Sequence, residues 1–246
     1  MQKRNKTWII CVILFIIAIT FWYNFSNMNV KDSFDNQIDI KYYVISMKGN
    51  EKRMKNIEAQ QKKLSSKINI FDAINGDNID MNNVPDQKVA DKFKENTRHR
   101  KREIGCFLSH YGVLKKIKLE GNPDGYTVVF EDDFNIIVDN FEEKLKSTLE
   151  SMKPHNFDML YIESISNSIG DKLVDGVCRM DMNKDMWGTQ AYIVKNANVD
   201  RFLENTQTID MPIDWKYINA IKSNKFTAYT FCPYLTKSTD LESTLF

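Results

Sequence analysis

Proline and glycine are scarce in this chain, at five and nine of 246 residues. That excludes a collagen-like or low-complexity polymer, and no flexible linker divides the sequence. Histidine is scarcer still: His99, His110 and His155, none spaced as a pair of metal ligands. Their lack weighs against a metal-dependent phosphoesterase, which would also use clustered carboxylates but typically wants histidines. The four cysteines include no C-x-x-C, which argues against a zinc ribbon or a thioredoxin-type site. Cys11 lies in an apolar run. Among Cys106, Cys178 and Cys232, one bridge with a free thiol and no bridge are both open. Net charge is only +1, so no basic surface calls for a nucleic-acid partner.

One long apolar run is present, at the start. "MQKRNK" brings Lys3, Arg4 and Lys6 without an acid, and "TWIICVILFIIAITFWYNF" follows over 7–25. This approaches the roughly 20 residues a bilayer needs, with Trp8 at one end and Phe21-Trp22-Tyr23 at the other, as interfacial aromatics stand. A cleaved signal peptide would end in small residues, and this run ends in bulky ones. The expectation is a signal anchor over 7–25, a cytoplasmic tail over 1–6, a polar stem over 26–39 and a folded domain over 40–246. The positive flank puts that domain on the far side of a membrane as a type II protein. The expected setting is lumenal, ER or Golgi.

Within 40–246 strands and helices alternate. "IKYYVISM" is rich in β-branched and aromatic residues and predicts a strand. The charged "GNEKRMKNIEAQQKKLSSK" predicts a helix with Met54, Ile57 and Leu64 inward. "INIFDAING" predicts a strand and turn. In "EIGCFLSHYGVLKKIKLEG" the helical spacing of Ile104, Phe107, Leu108, Tyr111, Leu114 and Ile117 is the strongest helix signal, and Gly121 ends it. "YTVVF", "NFDMLYIES", "GTQAYIV" and "KFTAYTF" predict further strands, with helices near 140–152, over "KNANVDRFLEN" and after Pro212. The alternation argues an α/β fold with a mostly parallel sheet, whose ligands bind where strands end.

At such an end stands Glu131-Asp132-Asp133, directly after "YTVVF". Adjacent carboxylates repel one another and resist burial, so a cation or solvent should accompany them. On an extended segment, residues i and i+2 project together. Glu131 and Asp133 can then share Mg²⁺ or Mn²⁺, with Asp132 facing away. Taken alone, an acidic run at a strand end also reads as a solvated turn.

"YYVISMKGNEKRMKNIEAQ", "IFDAINGD", "REIGCFLSHYGVLKKI", "YTVVFEDDF", "WGTQAYIVKNANVDRFLE" and "PIDWKYI" resemble, in order, the blocks of glycosyltransferase family 25, over about residues 40–245. The resemblance implies a GT-A-like, Rossmann-type nucleotide-sugar domain and inverting transfer, often of galactose from UDP-galactose, with Mn²⁺ as the usual metal. It implies Glu131 and Asp133 as metal ligands and Arg53, Asp72, Ala73, Gly76, Ser109, His110 and Asp132 on the donor side. Gly188, Thr189 and Tyr192 fall on the acceptor side. Inversion needs a carboxylate base; Asp214 is the candidate and Glu163 the reserve. Where the family block is richer in arginine, this chain keeps Arg53 and has Ser46 where asparagine is common, which puts donor affinity in doubt. A catalytically inactive, sugar-binding relic of the same fold is the rival reading.

Overall fold

A computed structural model describes residues 19, 20, 22, 38–84, 87–163, 168–184 and 187–239. The chain divides into two units, Met1–Ile38 and Asp39–Phe246. In the first, Ile19, Thr20 and Trp22 are helical and exposed. The rest of the expected anchor, and the tail and stem, lie outside the described residues up to Ile38. Among the described residues no helix is long and apolar enough to cross a membrane.

The second unit is built on an eight-stranded sheet in the order β2-β1-β4-β9-β6-β11-β8-β7. The strands are β1 (Ile40–Ser46), β2 (Ile68–Asp72), β4 (Tyr126–Glu131), β6 (Met159–Glu163), β7 (Ile169–Val174), β8 (Val177–Met180), β9 (Ala191–Lys195) and β11 (Ala228–Phe231). Two short ribbons pair β3 (Lys88–Val89) with β10 (Thr208–Ile209), and β5 (Phe134–Ile136) with β12 (Thr236–Ser238). The helices are α1 (Glu51–Gln61), α2 (Arg98–Glu120), α3 (Phe141–Met152), α4 (Val199–Asn205) and α5 (Ile213–Lys222).

The expectation of a mostly parallel sheet needs correcting to a mixed one. β1 pairs parallel with both β2 and β4, and β11 with β6. β9, however, lies antiparallel between β4 and β6, and β8 antiparallel between β11 and β7. The physical reason is that β9 is buried along nearly its whole length. A doubly buried "AYIV" looks the same to its neighbours in either direction.

Alternate residues divide the core between the sheet's two faces. Tyr43, Ile45, Val129, Tyr161, Tyr192 and Val194 pack with Ile104, Phe107 and Leu114 of α2 and with Phe202 and Tyr217 of α4 and α5. On the other face Phe130 stacks on Phe134 with centroids 4.1 Å apart and meets Phe141 of α3. Each fully buried ring here contributes about 1.5–3 kcal/mol.

Two helices differ from expectation at their ends or faces. α2 starts at Arg98 rather than Glu103, because the Thr97 side chain accepts from the Arg100 N–H as an N-cap. α1 turns Arg53, Ile57 and Gln60 inward, while Met54 is half-buried and Leu64 packs beyond the helix end. Its inner face is polar because it serves the turn after β4.

Candidate active site

β1, β2 and β4 run the same way, so Ser46, Asp72 and Glu131 finish at one edge of the sheet. From β1 the chain goes to one side for β2 and then to the other for β4, which opens a crevice at this edge. A cleft of about 280 Å³ lies there. Its lining includes Ser46, Arg53, Ala73, Gly76, Ser109, His110 and all of Glu131-Asp132-Asp133. Most of the expected donor-side residues therefore come together.

The acid triplet does not alternate as expected. β4 ends at Glu131, and Asp132-Asp133 form a tight turn into β5. All three carboxylates consequently face the cleft, Asp132 included. Arg53 is buried, and its NH1 lies 2.8 Å from Asp132 Oδ1 and 3.2 Å from Asp133 Oδ2. Ser46 Oγ donates to Asp132 Oδ2 at 2.8 Å. Asn56 Nδ2 donates to the backbone carbonyls of Asp132 and Phe134 at 3.0 and 2.9 Å and pins the turn. Ser46 and Arg53 thus act through the acids. Asn56 carried no sequence signal beyond its place one turn after Arg53.

Glu131 is held from the opposite side. Thr189 Oγ1 donates to its Oε1 at 2.7 Å, and His110 Nε2 makes a long contact of 3.4 Å. His110 is fully buried, with Nδ1 2.8 Å from the Tyr192 hydroxyl. Burial raises the Glu131 pKa, but the His110 contact and the Thr189 hydrogen bond outweigh it, and the net shift is downward. Asp133 goes the other way, pushed up to about 6, first by burial and then by the charge of Glu131. Burial likewise raises Asp132.

These facts test the site for a cation. Three carboxylates face one guanidinium, and Asp133 Oδ1 is buried without a hydrogen-bond partner. An oxygen-only donor set short of positive charge fits a hard divalent ion such as Mn²⁺ or Mg²⁺. A second grouping brings ligand atoms of Cys106, His110 and Glu131 within 4.8 Å of one another. It suits a metal less well. Burial, then the charges of Glu131 and Asp214, hold the Cys106 thiol well above its usual range, and the thiolate is the ligand form.

The loop after β2 is clasped to α2 by backbone contact. A Cβ on Gly105 would stand 2.6 Å from the Ile74 carbonyl oxygen, and one on Gly76 2.4 Å from Arg102 Cα. Only glycines permit this approach. Ser109 Oγ accepts from the Ile74 N–H at 2.9 Å and donates to the Gly105 carbonyl at 2.7 Å. Asp77 receives both Arg98 and Arg102, each at 3.1–3.2 Å through two nitrogens. Asp77 and Arg102 also line the cleft, and neither stands among the residues expected from the sequence. Asp72 does not line it; it pairs with Lys48 at 2.7 Å on the surface.

The two base candidates differ in their partners, and neither is in the cleft lining. Asp214 opens α5, where its Oδ1 accepts from the Trp215 N–H at 2.8 Å and its Oδ2 from the Gly188 N–H at 3.3 Å. Gly188 has φ +93°, a conformation that suits glycine. Since Thr189 bonds Glu131, the Gly188-Thr189 pair links Asp214 to the acid triplet. Glu163 is buried, and Ser238 Oγ donates to it at 2.6 Å. Cys178 and Cys232 form a disulfide, and Cys106 is free.

Residues 39–216 match the family model described as glycosyltransferase family 25 (LPS biosynthesis protein). A procollagen galactosyltransferase 1-A of Xenopus laevis is 24% identical over 194 residues, covering 75% of this chain and 30% of that protein. A probable inactive glycosyltransferase 25 family member 3 of Bos taurus is 28% identical over 118 residues, 46% of this chain and 19% of that protein. A putative glycosyltransferase R655 of Acanthamoeba polyphaga mimivirus is 29% identical over 119 residues, 47% and 35% respectively. The chain therefore spans about a third or less of the length of these relatives.

Proposed function

The chain belongs to glycosyltransferase family 25, and on that premise we propose that it transfers galactose from UDP-galactose to a hydroxyl of a glycan or glycoprotein acceptor, with inversion. The observation that carries this reading is the convergence of the acid triplet and the Ser109-clasped loop on one cleft, with Asp214 tied to the triplet through Gly188-Thr189. The GT-A-like description rests on the same convergence at the ends of parallel strands. The relative named as a galactosyltransferase supports the choice of sugar.

Glu131, Asp133 and the neighbouring Asp132 would hold Mn²⁺ or Mg²⁺, which when bound neutralises charge on a departing diphosphate as a Lewis acid. The protein's own residues do the rest. The loop of Ala73 to Asp77, fixed to α2, borders the cleft in which the nucleotide would sit. The acceptor oxygen forms its bond to the anomeric carbon while the bond from that carbon to the diphosphate oxygen breaks, its electron pair leaving with UDP. The hydroxyl proton passes to the Asp214 carboxylate, which the two backbone N–H groups keep aimed. Holding both reactants in line supplies much of the acceleration.

We place this domain on the lumenal side of an anchoring membrane segment over 7–25. The disulfide is in keeping with an oxidising compartment.

A second reading has its own support. Arg53 already bridges Asp132 and Asp133, and several relatives are named inactive. In that case the fold binds a nucleotide sugar without turning it over. One experiment separates the two: UDP release from UDP-galactose with Mn²⁺ and glycan or glycopeptide acceptors, compared with Asp214→Asn. Acceptor-dependent release that falls about 10²–10⁴-fold in Asp214→Asn, with UDP binding kept, supports transfer. Tight UDP binding with no release by the wild type supports the relic.

A further inference from the structure

Trp187 and Trp215 have no part in the steps above, yet they flank the carboxylate that would take the proton. Their rings meet edge to face, with centroids 4.4 Å apart and planes at 78°. Trp215 is 39% exposed in the first turn of α5. Trp215 follows Asp214 and donates its backbone N–H to Oδ1. Trp187 precedes Gly188, whose N–H donates to Oδ2. The contacts that aim the carboxylate therefore also hold the backbone that carries the two rings.

An exposed indole face beside a carboxylate is an amphipathic corner. A pyranose is amphipathic in the same way: one face of C–H bonds seats on an aromatic ring while its hydroxyls reach polar partners. A lysine ammonium would also be drawn to an indole. It would pair with Asp214 as well, and a carboxylate held in an ion pair is a poorer proton acceptor. A neutral sugar leaves that carboxylate free.

We propose that Trp215, braced edge-on by Trp187, is a stacking platform for the ring of a saccharide acceptor and presents its hydroxyl to Asp214. The inference rests on the transfer reading for its place in a reaction, but its binding claim stands apart from turnover. The test is saturation-transfer NMR on the protein with UDP and Mn²⁺, using methyl β-galactoside, lactose and an uncharged-versus-lysyl peptide pair as probes. Wild type, Trp215→Ala and Trp215→Phe are compared, with UDP affinity measured in parallel.

The expected result is saccharide contact in wild type, weakened about tenfold or more by Trp215→Ala and restored to within about threefold by Trp215→Phe. UDP affinity stays unchanged throughout. The platform is overturned by three outcomes: wild type contacts neither saccharide, Trp215→Ala binds them as well as wild type, or only the lysyl peptide depends on Trp215. Loss of UDP binding together with saccharide binding in Trp215→Ala also overturns it, since the effect is then a general loss of structure. If the wild type releases no UDP from UDP-galactose while Trp215-dependent saccharide binding persists, the platform holds and the transfer reading fails.

Discussion

Replacing Gly105 by alanine tests how the nucleotide loop is held. In a helix interior, glycine to alanine alone should gain about 1 kcal/mol. Here the new Cβ would lie 2.6 Å from the Ile74 carbonyl oxygen and 2.8 Å from the Gly76 nitrogen, both backbone atoms that cannot swing aside. Forcing them apart costs about 1–3 kcal/mol by analogy with overpacked cores. It also separates Ser109 Oγ from the Ile74 N–H, a further loss of about 1 kcal/mol. The net expectation is a loss of about 1–3 kcal/mol. Gly112 in the same helix is the control. Its added Cβ meets the far end of the half-buried Phe71 ring, which can rotate away, so Gly112→Ala should be near neutral. The assay is urea denaturation of both variants beside UDP titration. With a slope of roughly 2 kcal/mol/M, the Gly105→Ala midpoint should fall by about 0.5–1.5 M. UDP should bind that variant about tenfold more weakly. If Gly105→Ala matches Gly112→Ala in both stability and UDP affinity, the clasp does not position the loop.

Further expectations concern charge and covalent structure. Asp133 is pushed up to about 6 from the ordinary carboxylate range, so its neutral form favours the fold; that contribution is complete below pH 4 and is lost as pH rises through 6. With a chelator present, melting temperature should therefore fall between pH 4 and pH 7, by at most about 3 kcal/mol in stability, and Asp133→Asn should flatten the profile. A profile equally steep in the variant would reject the assignment. Removing the guanidinium in Arg53→Met leaves three facing carboxylates uncompensated, and a loss of about 3–5 kcal/mol is expected, partly recovered by added Mn²⁺ in thermal melts. Recovery by Na⁺ at equal ionic strength to the same extent would show plain screening instead. Joint replacement of Cys178 and Cys232 by alanine should cost about 4 kcal/mol for a loop of this length, read by denaturant midpoint; a variant as stable as wild type would show that the bridge does not form.

Most of the parallel strand–helix frame was legible because its signals are local. The apolar run ending in Glu131 and the stripe of α2 needed no partner to be read. The direction of β9 was not legible, since both its faces are buried and nothing in "AYIVK" distinguishes its neighbours. The β7–β8 hairpin was missed although its signal is present: Asp175-Gly176 joins the two strands, with Gly176 at φ +76°, and Asp-Gly is a strong hairpin turn. At the site, the acids and the clasping glycines could be named from the chain. That Arg53 turns onto the acids, that Asp72 stays with Lys48, and that Glu163 serves Ser238 depend on contacts between residues distant in sequence. Asp132 faces the cleft with its neighbours because the strand, and with it the i, i+2 alternation, ends at Glu131.

The measurement that bears most directly on this account is an anomalous-difference map at the manganese edge from crystals of the protein with Mn²⁺ and UDP. The expected map has its peak against Asp133, where the buried Oδ1 lacks a partner, with the diphosphate in the adjoining cleft. A peak centred on Cys106 and His110, or UDP bound with no manganese beside the acids, would contradict it.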